Sequence, residues 1–147
     1  MPPFHQTLAL TVLLAALPAC GKNKTAAPPT TTASHVQGTP HTDEVLGAWR
    51  NAGLAPEAFS SVQPVPYGAA YCEHGTVHGV DTTVCEYASD DALARGTQLV
   101  KQEWARVDAH TGVVLRAKRT SMVAVDRERR EPNGKTISQM AKVFGKL

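Results

Sequence analysis

Cys72 and Cys85 lie symmetrically about His78-Gly79, and this symmetry constrains the fold more than any other feature of the chain. A two-residue turn at His78-Gly79 puts both residues at positive φ. Glycine does this without steric cost, and histidine tolerates it better than most residues. Tyr67 to Tyr87 then reads as two strands in which Val77 opposes Val80, Thr76 opposes Asp81 and Cys72 opposes Cys85. Hydrogen-bonded and non-hydrogen-bonded pairs alternate outward from such a turn, and the cysteines fall on a non-hydrogen-bonded pair. Their Cα atoms should then be ~4.5 Å apart, inside the ~4.4–6.8 Å range of a disulfide.

The compartment bears on that pairing. Leu8 to Ala19 is an apolar run of twelve residues, interrupted only by Thr11 and Pro18. A membrane-spanning helix needs roughly 20 apolar residues, whereas a run of this length suits the apolar core of a signal peptide. The run closes on Leu17-Pro18-Ala19-Cys20-Gly21. This segment resembles a bacterial lipoprotein signal, in which a Leu-x-Ala-Cys box is cleaved before the cysteine and the cysteine is lipidated. The resemblance covers residues 1–21. Pro18 stands where that family usually has Ala, Ser, Thr or Val, and Met1 to Thr7 contains no Lys or Arg. It implies a signal peptide at 1–19, lipidation at Cys20 and a place in the cell envelope, with the membrane as a partner. Gly21 is not the Asp that commonly marks inner-membrane retention in this family, so the outer membrane is implied where there are two. An ordinary secretory signal, leaving Cys20 as a thiol, is the other reading.

There are three cysteines. An odd number in an exported chain is anomalous, and lipidation of Cys20 leaves one pair, Cys72 and Cys85. Disulfides persist in exported proteins, so a bridge is expected there. Closing a loop of about 14 residues is worth ~3 kcal/mol in the chain-entropy model.

Residues 20–42 read as a lipidated cysteine and a disordered Pro/Thr/Ala-rich tether. Almost nothing in Thr25 to Ser34 can be buried to offset the cost of ordering it. Such a tether of ~20 residues would span roughly 25 Å. Residues 43–147 then form one small domain.

Within that domain Thr42-Asp43-Glu44 reads as a helix start, with a capping hydroxyl and two acids in the first turn. Val45, Leu46 and Trp49 share one face. Phe59 to Val65 suits an edge strand or an extended connection. Ser89-Asp90-Asp91 caps a second helix, along which Leu93, Gly96, Leu99, Val100, Trp104 and Val107 follow helical spacing. Asp108 to Gly112 is a turn, and Val113-Val114-Leu115 and Met122 to Val125 are strands joined by Lys118-Arg119-Thr120. The second strand is apolar on both faces, as a central strand is. A last helix starts near Lys135, with Ile137, Met140, Ala141 and Phe144 on one face. The expected class is α+β: an antiparallel sheet of about four to five strands built from two hairpins, with three helices packed mainly on one face.

The chain carries 15 basic and 13 acidic residues, a balance that excludes generic nucleic-acid binding. The charge is uneven, however. Asp43 to Ala94 holds eight acids against Arg50, and Arg95 to Leu147 holds twelve basic residues against five acids. Arg116, Lys118, Arg119, Arg127, Arg129 and Arg130 are the candidate anion-binding residues, for phosphate, a lipid headgroup or a polysaccharide. The competing reading is a solvated edge whose charges block edge-to-edge pairing. His74, His78 and Asp81 are weak candidate metal ligands near the first hairpin, and a bridged Cys72 and Cys85 could not join them. No nucleophile elbow, phosphate loop or His-Glu-x-x-His motif is present. No cofactor is expected and catalysis is disfavoured. The leading function class is a non-enzymatic interaction or scaffold domain at the membrane, with an envelope protein as partner. A binding module for an anionic ligand or glycan is the alternative, and an enzyme of unknown type comes third.

Overall fold

The structure, a computed structural model, describes residues 34–104 and 111–147. The signal segment, Cys20 and the greater part of the tether lie outside the described residues, as do Val107 and residues 108–110 of the turn expected at Asp108 to Gly112. Thr111 and Gly112 of that expected turn belong instead to a strand, paired with Asp126 and Val125. No helix among the described residues is long and apolar enough to cross a membrane.

The first hairpin forms in the register that the cysteine spacing implies. Strands β2 (Tyr71–Val77) and β3 (Val80–Glu86) pair antiparallel, with Val77 opposite Val80 and Cys72 opposite Cys85. His78 and Gly79 turn the chain at φ 49° and 80°. The two cysteines are bridged, with Cα atoms 4.1 Å apart. In the second hairpin β4 (Thr111–Ala117) pairs with β5 (Thr120–Asp126) around Lys118-Arg119. Thr120 thus belongs to the strand, where sequence alone assigns it to the turn.

Strand β1 (Pro56–Ser61) adds to the free edge of β2, and β5 pairs with β3. The five-stranded sheet is antiparallel throughout, in the order β1-β2-β3-β5-β4. Every described position of β5 is buried, which matches its apolar character on both faces. β1 is shorter and earlier than Phe59 to Val65. Its register shifts between Glu57 and Ser60, with Ala58 at φ 53°, and Val65 falls in a short 3₁₀ turn.

Three helices complete the α+β fold, and they divide two to one between the faces. Helices α1 (Thr42–Asn51) and α3 (Lys135–Phe144) lie on the same face. Val45, Leu46 and Trp49 meet Ile137, Met140 and Phe144 there, over Val77, Val80, Val84, Met122 and Ala124 of the sheet. The Trp49 indole N–H donates to the Met140 carbonyl at 3.3 Å, and the Gln139 amide donates to Ala52 O at 2.9 Å. Helix α2 (Asp90–Trp104) covers the other face. Leu93 packs with the disulfide and Tyr87, and Val100 packs with Val123 and Val125. Ser89 caps α2 as its sequence suggests, accepting from the Ala92 N–H at 3.1 Å. Leu99, which helical spacing groups with the core, is 44% exposed.

Gly96 has a defined role in this packing. A Cβ there would sit 2.3 Å from the Tyr67 carbonyl and 2.5 Å from the Tyr87 ring. The missing side chain lets α2 approach the sheet and the 3₁₀ turn closely.

Candidate functional site

Strand alternation sends Val80, Thr82, Val84 and Glu86 to the face covered by α1 and α3. Three of these are ordinary core residues. Glu86 is a carboxylate, and it is fully buried. A buried charge needs compensation by partners, and four donors supply it. His35 Nδ1 donates to Oε1 at 2.7 Å and the Val36 N–H donates to Oε2 at 2.8 Å. The Thr42 N–H and hydroxyl donate to Oε1 at 2.9 and 3.3 Å.

Thr42 is the first residue of α1, where backbone N–H groups lack intrahelical partners and the helix dipole favours an anion. Sequence alone assigns the cap to the Thr42 hydroxyl. In the structure a carboxylate from β3 takes that role, and the hydroxyl is a donor to it. Glu44 adds a local contact, accepting from the His41 N–H at 3.3 Å.

The same carboxylate fastens the segment preceding the helix. Residues 34–42, which composition groups with the tether, are held against the end of the sheet. The Thr120 hydroxyl donates to Pro40 O at 2.6 Å and accepts from the Thr39 hydroxyl at 2.7 Å. Arg119 donates to Gln37 O at 2.6 Å and to Ala88 O at 2.8 Å. His41 Nε2 donates to Val36 O at 3.1 Å. Pro40 is buried and Val36 half-buried in this segment. The hydrogen bonds from Arg119 and to Glu86 are charge-assisted, about twice as strong as neutral ones, and help hold it in place.

The His35 ring is enclosed by aromatic and acidic groups. It stacks on His41 at 4.8 Å between centroids and leans on Tyr71 at 4.5 Å. Its Nε2 lies 3.6 Å from Asp43 Oδ2. The hydrogen bond to Glu86 raises the His35 pKa; partial burial works against this, and the charges of Glu86, Asp43 and Glu73 add to it. Tyr71 donates to Glu73 Oε1 at 2.5 Å. Burial first, and then that hydrogen bond, raises the Tyr71 hydroxyl far above its ordinary value. Both Glu86 oxygens are occupied by donors from residues 35, 36 and 42, so the carboxylate clamps the leading segment and the start of α1 to the sheet.

The residues singled out from sequence are distributed differently. Cys72 and Cys85 are buried in their bridge. His74 shares their face of the sheet and bonds to the Thr83 hydroxyl at 3.0 Å. His78 is exposed in the turn. Asp81 is paired with Arg127 at 2.9 Å. Among the described residues no three His, Cys, Asp or Glu side chains are grouped so as to hold a metal ion.

The basic run is divided by β5. Arg116, Lys118 and Arg119 lie at one end of the strand and Arg127, Arg129 and Arg130 at the other, roughly 20 Å away for seven extended residues. Arg119 is engaged with backbone carbonyls, Arg127 with Asp81, and Arg130 with Glu128. The six residues therefore do not converge on one site.

Sequence reasoning missed Glu86 and His35. The available signal was Glu86 itself, an acid in phase with the core-facing residues of a strand. Compared with family models, curated proteins and solved structures, the chain matches none of them.

Proposed function

We propose that this protein is a lipid-anchored envelope protein whose domain serves as a non-catalytic interaction or scaffold module. The Cys72–Cys85 bridge is the observation that carries this reading. It pairs two of the three cysteines and leaves Cys20, at the end of the lipobox-like segment, as the odd one. A disulfide in a small domain also fits an oxidising compartment.

The clamp on Glu86 supports the non-catalytic part. Both its oxygens accept from donors of the leading segment and α1. The domain thus begins at a fastened segment, residues 34–42, rather than at α1. In this reading the outer membrane is the site of anchoring where two membranes exist, because Gly21 follows Cys20. The six basic residues fall into two groups at opposite ends of β5, an arrangement that favours the scaffold reading over a single anion site using all six.

Mass spectrometry of the protein taken from its native envelope tests the proposal. An acylated N-terminal Cys20 is expected, with Cys20→Ser blocking processing. An unmodified N-terminus elsewhere, on a chain soluble outside the membrane, would overturn it.

A further inference from the structure

The two edges of the sheet differ. β1 is interrupted by the register shift at Glu57/Ser60 and the positive φ of Ala58, both devices that discourage pairing with another strand. β4 has neither device, and its only edge charge is Arg116. It runs seven residues, Thr-Gly-Val-Val-Leu-Arg-Ala, in unbroken register with β5 and without proline. The two-residue turn makes Ala117 and Thr120 a hydrogen-bonded pair, so Leu115 and Val113 also direct their backbone groups toward β5. Gly112, Val114 and Arg116 then direct theirs outward. Among the described residues no turn, loop or cap backbone hydrogen bond reaches them.

We infer that β4 pairs antiparallel with β4 of a second copy of this chain, about a two-fold axis through Val114, giving one continuous sheet. The sequence of the strand is compatible with itself in one register. Centred on Val114, the outward residues of both copies are all used: Val114 opposes Val114, and Gly112 opposes Arg116 twice over. This offers about six backbone hydrogen bonds. Centring on Val113 or Leu115 leaves one outward residue of each copy without a partner in the strand. Centring on Arg116 sets two guanidinium groups against each other, which is destabilising. With Val114 at the axis, the strand's one charged side chain lies over a glycine. On the other face Val113 meets Leu115 of the second copy. Both are half-buried at the margin of the core formed by α1 and α3, and apolar cross-strand pairs of this kind are favourable. The inference supplies a partner for the interaction reading and does not depend on lipidation, which the Cys20 mass measurement reads separately.

Register-specific cross-linking of the full chain in its native envelope tests this. Val114→Cys should give a disulfide-linked dimer on a non-reducing gel, because opposed Cα atoms in a hydrogen-bonded pair are ~5.5 Å apart. Val113→Cys should give far less, its counterpart being a diagonal neighbour ~7–8 Å away. With detergent-purified protein, Gly112→Arg should raise the dimer dissociation constant about tenfold, since two like-charge pairs form. Gly112→Arg combined with Arg116→Asp should restore it, a rescue that a folding defect would not show. Equal cross-linking at positions 113 and 114, or a monomer at every concentration, overturns the inference.

Discussion

His35 Nδ1 lies 2.7 Å from Glu86 Oε1, joining residues 51 positions apart. One belongs to the segment that leads into the domain and the other to the core-facing side of β3. Through this contact the chain before α1 is tied to the sheet, and the helix start is capped by a residue that local sequence does not supply.

Replacing Glu86 with alanine should therefore act at two places. It strands the Val36 and Thr42 N–H groups and leaves His35 without its acceptor. A loss of roughly 3 kcal/mol is expected in urea denaturation. Limited proteolysis should show residues 34–41 becoming susceptible before the rest of the domain. A loss no larger than that of a typical surface substitution would show the clamp to be energetically idle.

The His35 contact should also be pH-dependent. The folded imidazole has a raised pKa. Its contribution is fully present below the unfolded value of ~6.5 and fades as pH rises through the higher folded value. The stability difference between the native chain and His35→Asn should shrink from pH 6 upward in thermal melts. The ring is 31% exposed, so screening keeps the change to ~1 kcal/mol or less. A difference that grows with pH would contradict the assignment.

Two glycines in helices should respond oppositely to alanine. At Gly96 the new Cβ meets the Tyr67 carbonyl and the Tyr87 ring. Overpacking should cost about 1–3 kcal/mol, more than the helix propensity gained. At Gly47 in α1 nothing lies within 4 Å of the added Cβ, and the substitution should stabilise by up to ~1 kcal/mol. Denaturation midpoints of the two variants should move in opposite directions.

Removal of the bridge by Cys72→Ala with Cys85→Ala should cost roughly 2–4 kcal/mol. Both α1 and α3 bury their faces in a cluster that does not include the cysteines, so the far-UV circular dichroism of the double variant should remain native-like at low temperature. A random-coil spectrum would show that the disulfide is required to form the sheet at all.

The parts legible in the sequence are those set by neighbours along the chain. The turn at His78-Gly79 follows from the φ values that glycine and histidine accept, and the cysteine register follows from the turn. The second hairpin, the Ser89 cap and the apolar faces of α1 and α3 are likewise determined over a few residues. Leu99 marks the limit of reading by apolar residues alone: the buried stripe of α2 runs through Leu93, Gly96, Thr97 and Val100, and at about 3.6 residues per turn Leu99 falls to the side of it.

Tertiary structure decided what depends on distant groups meeting. Glu86 becomes a helix cap only because β3 ends beneath the start of α1, and residues 34–42 become part of the domain only because Glu86, Thr120 and Arg119 offer partners there. The basic residues are adjacent in sequence yet fall at opposite ends of β5, since an extended strand advances about 3.3 Å per residue. Insertion of β5 between β3 and β4 leaves β4 at the edge. Local propensity can make a strand, but only the assembled sheet determines which of its hydrogen-bonding edges lacks a neighbour.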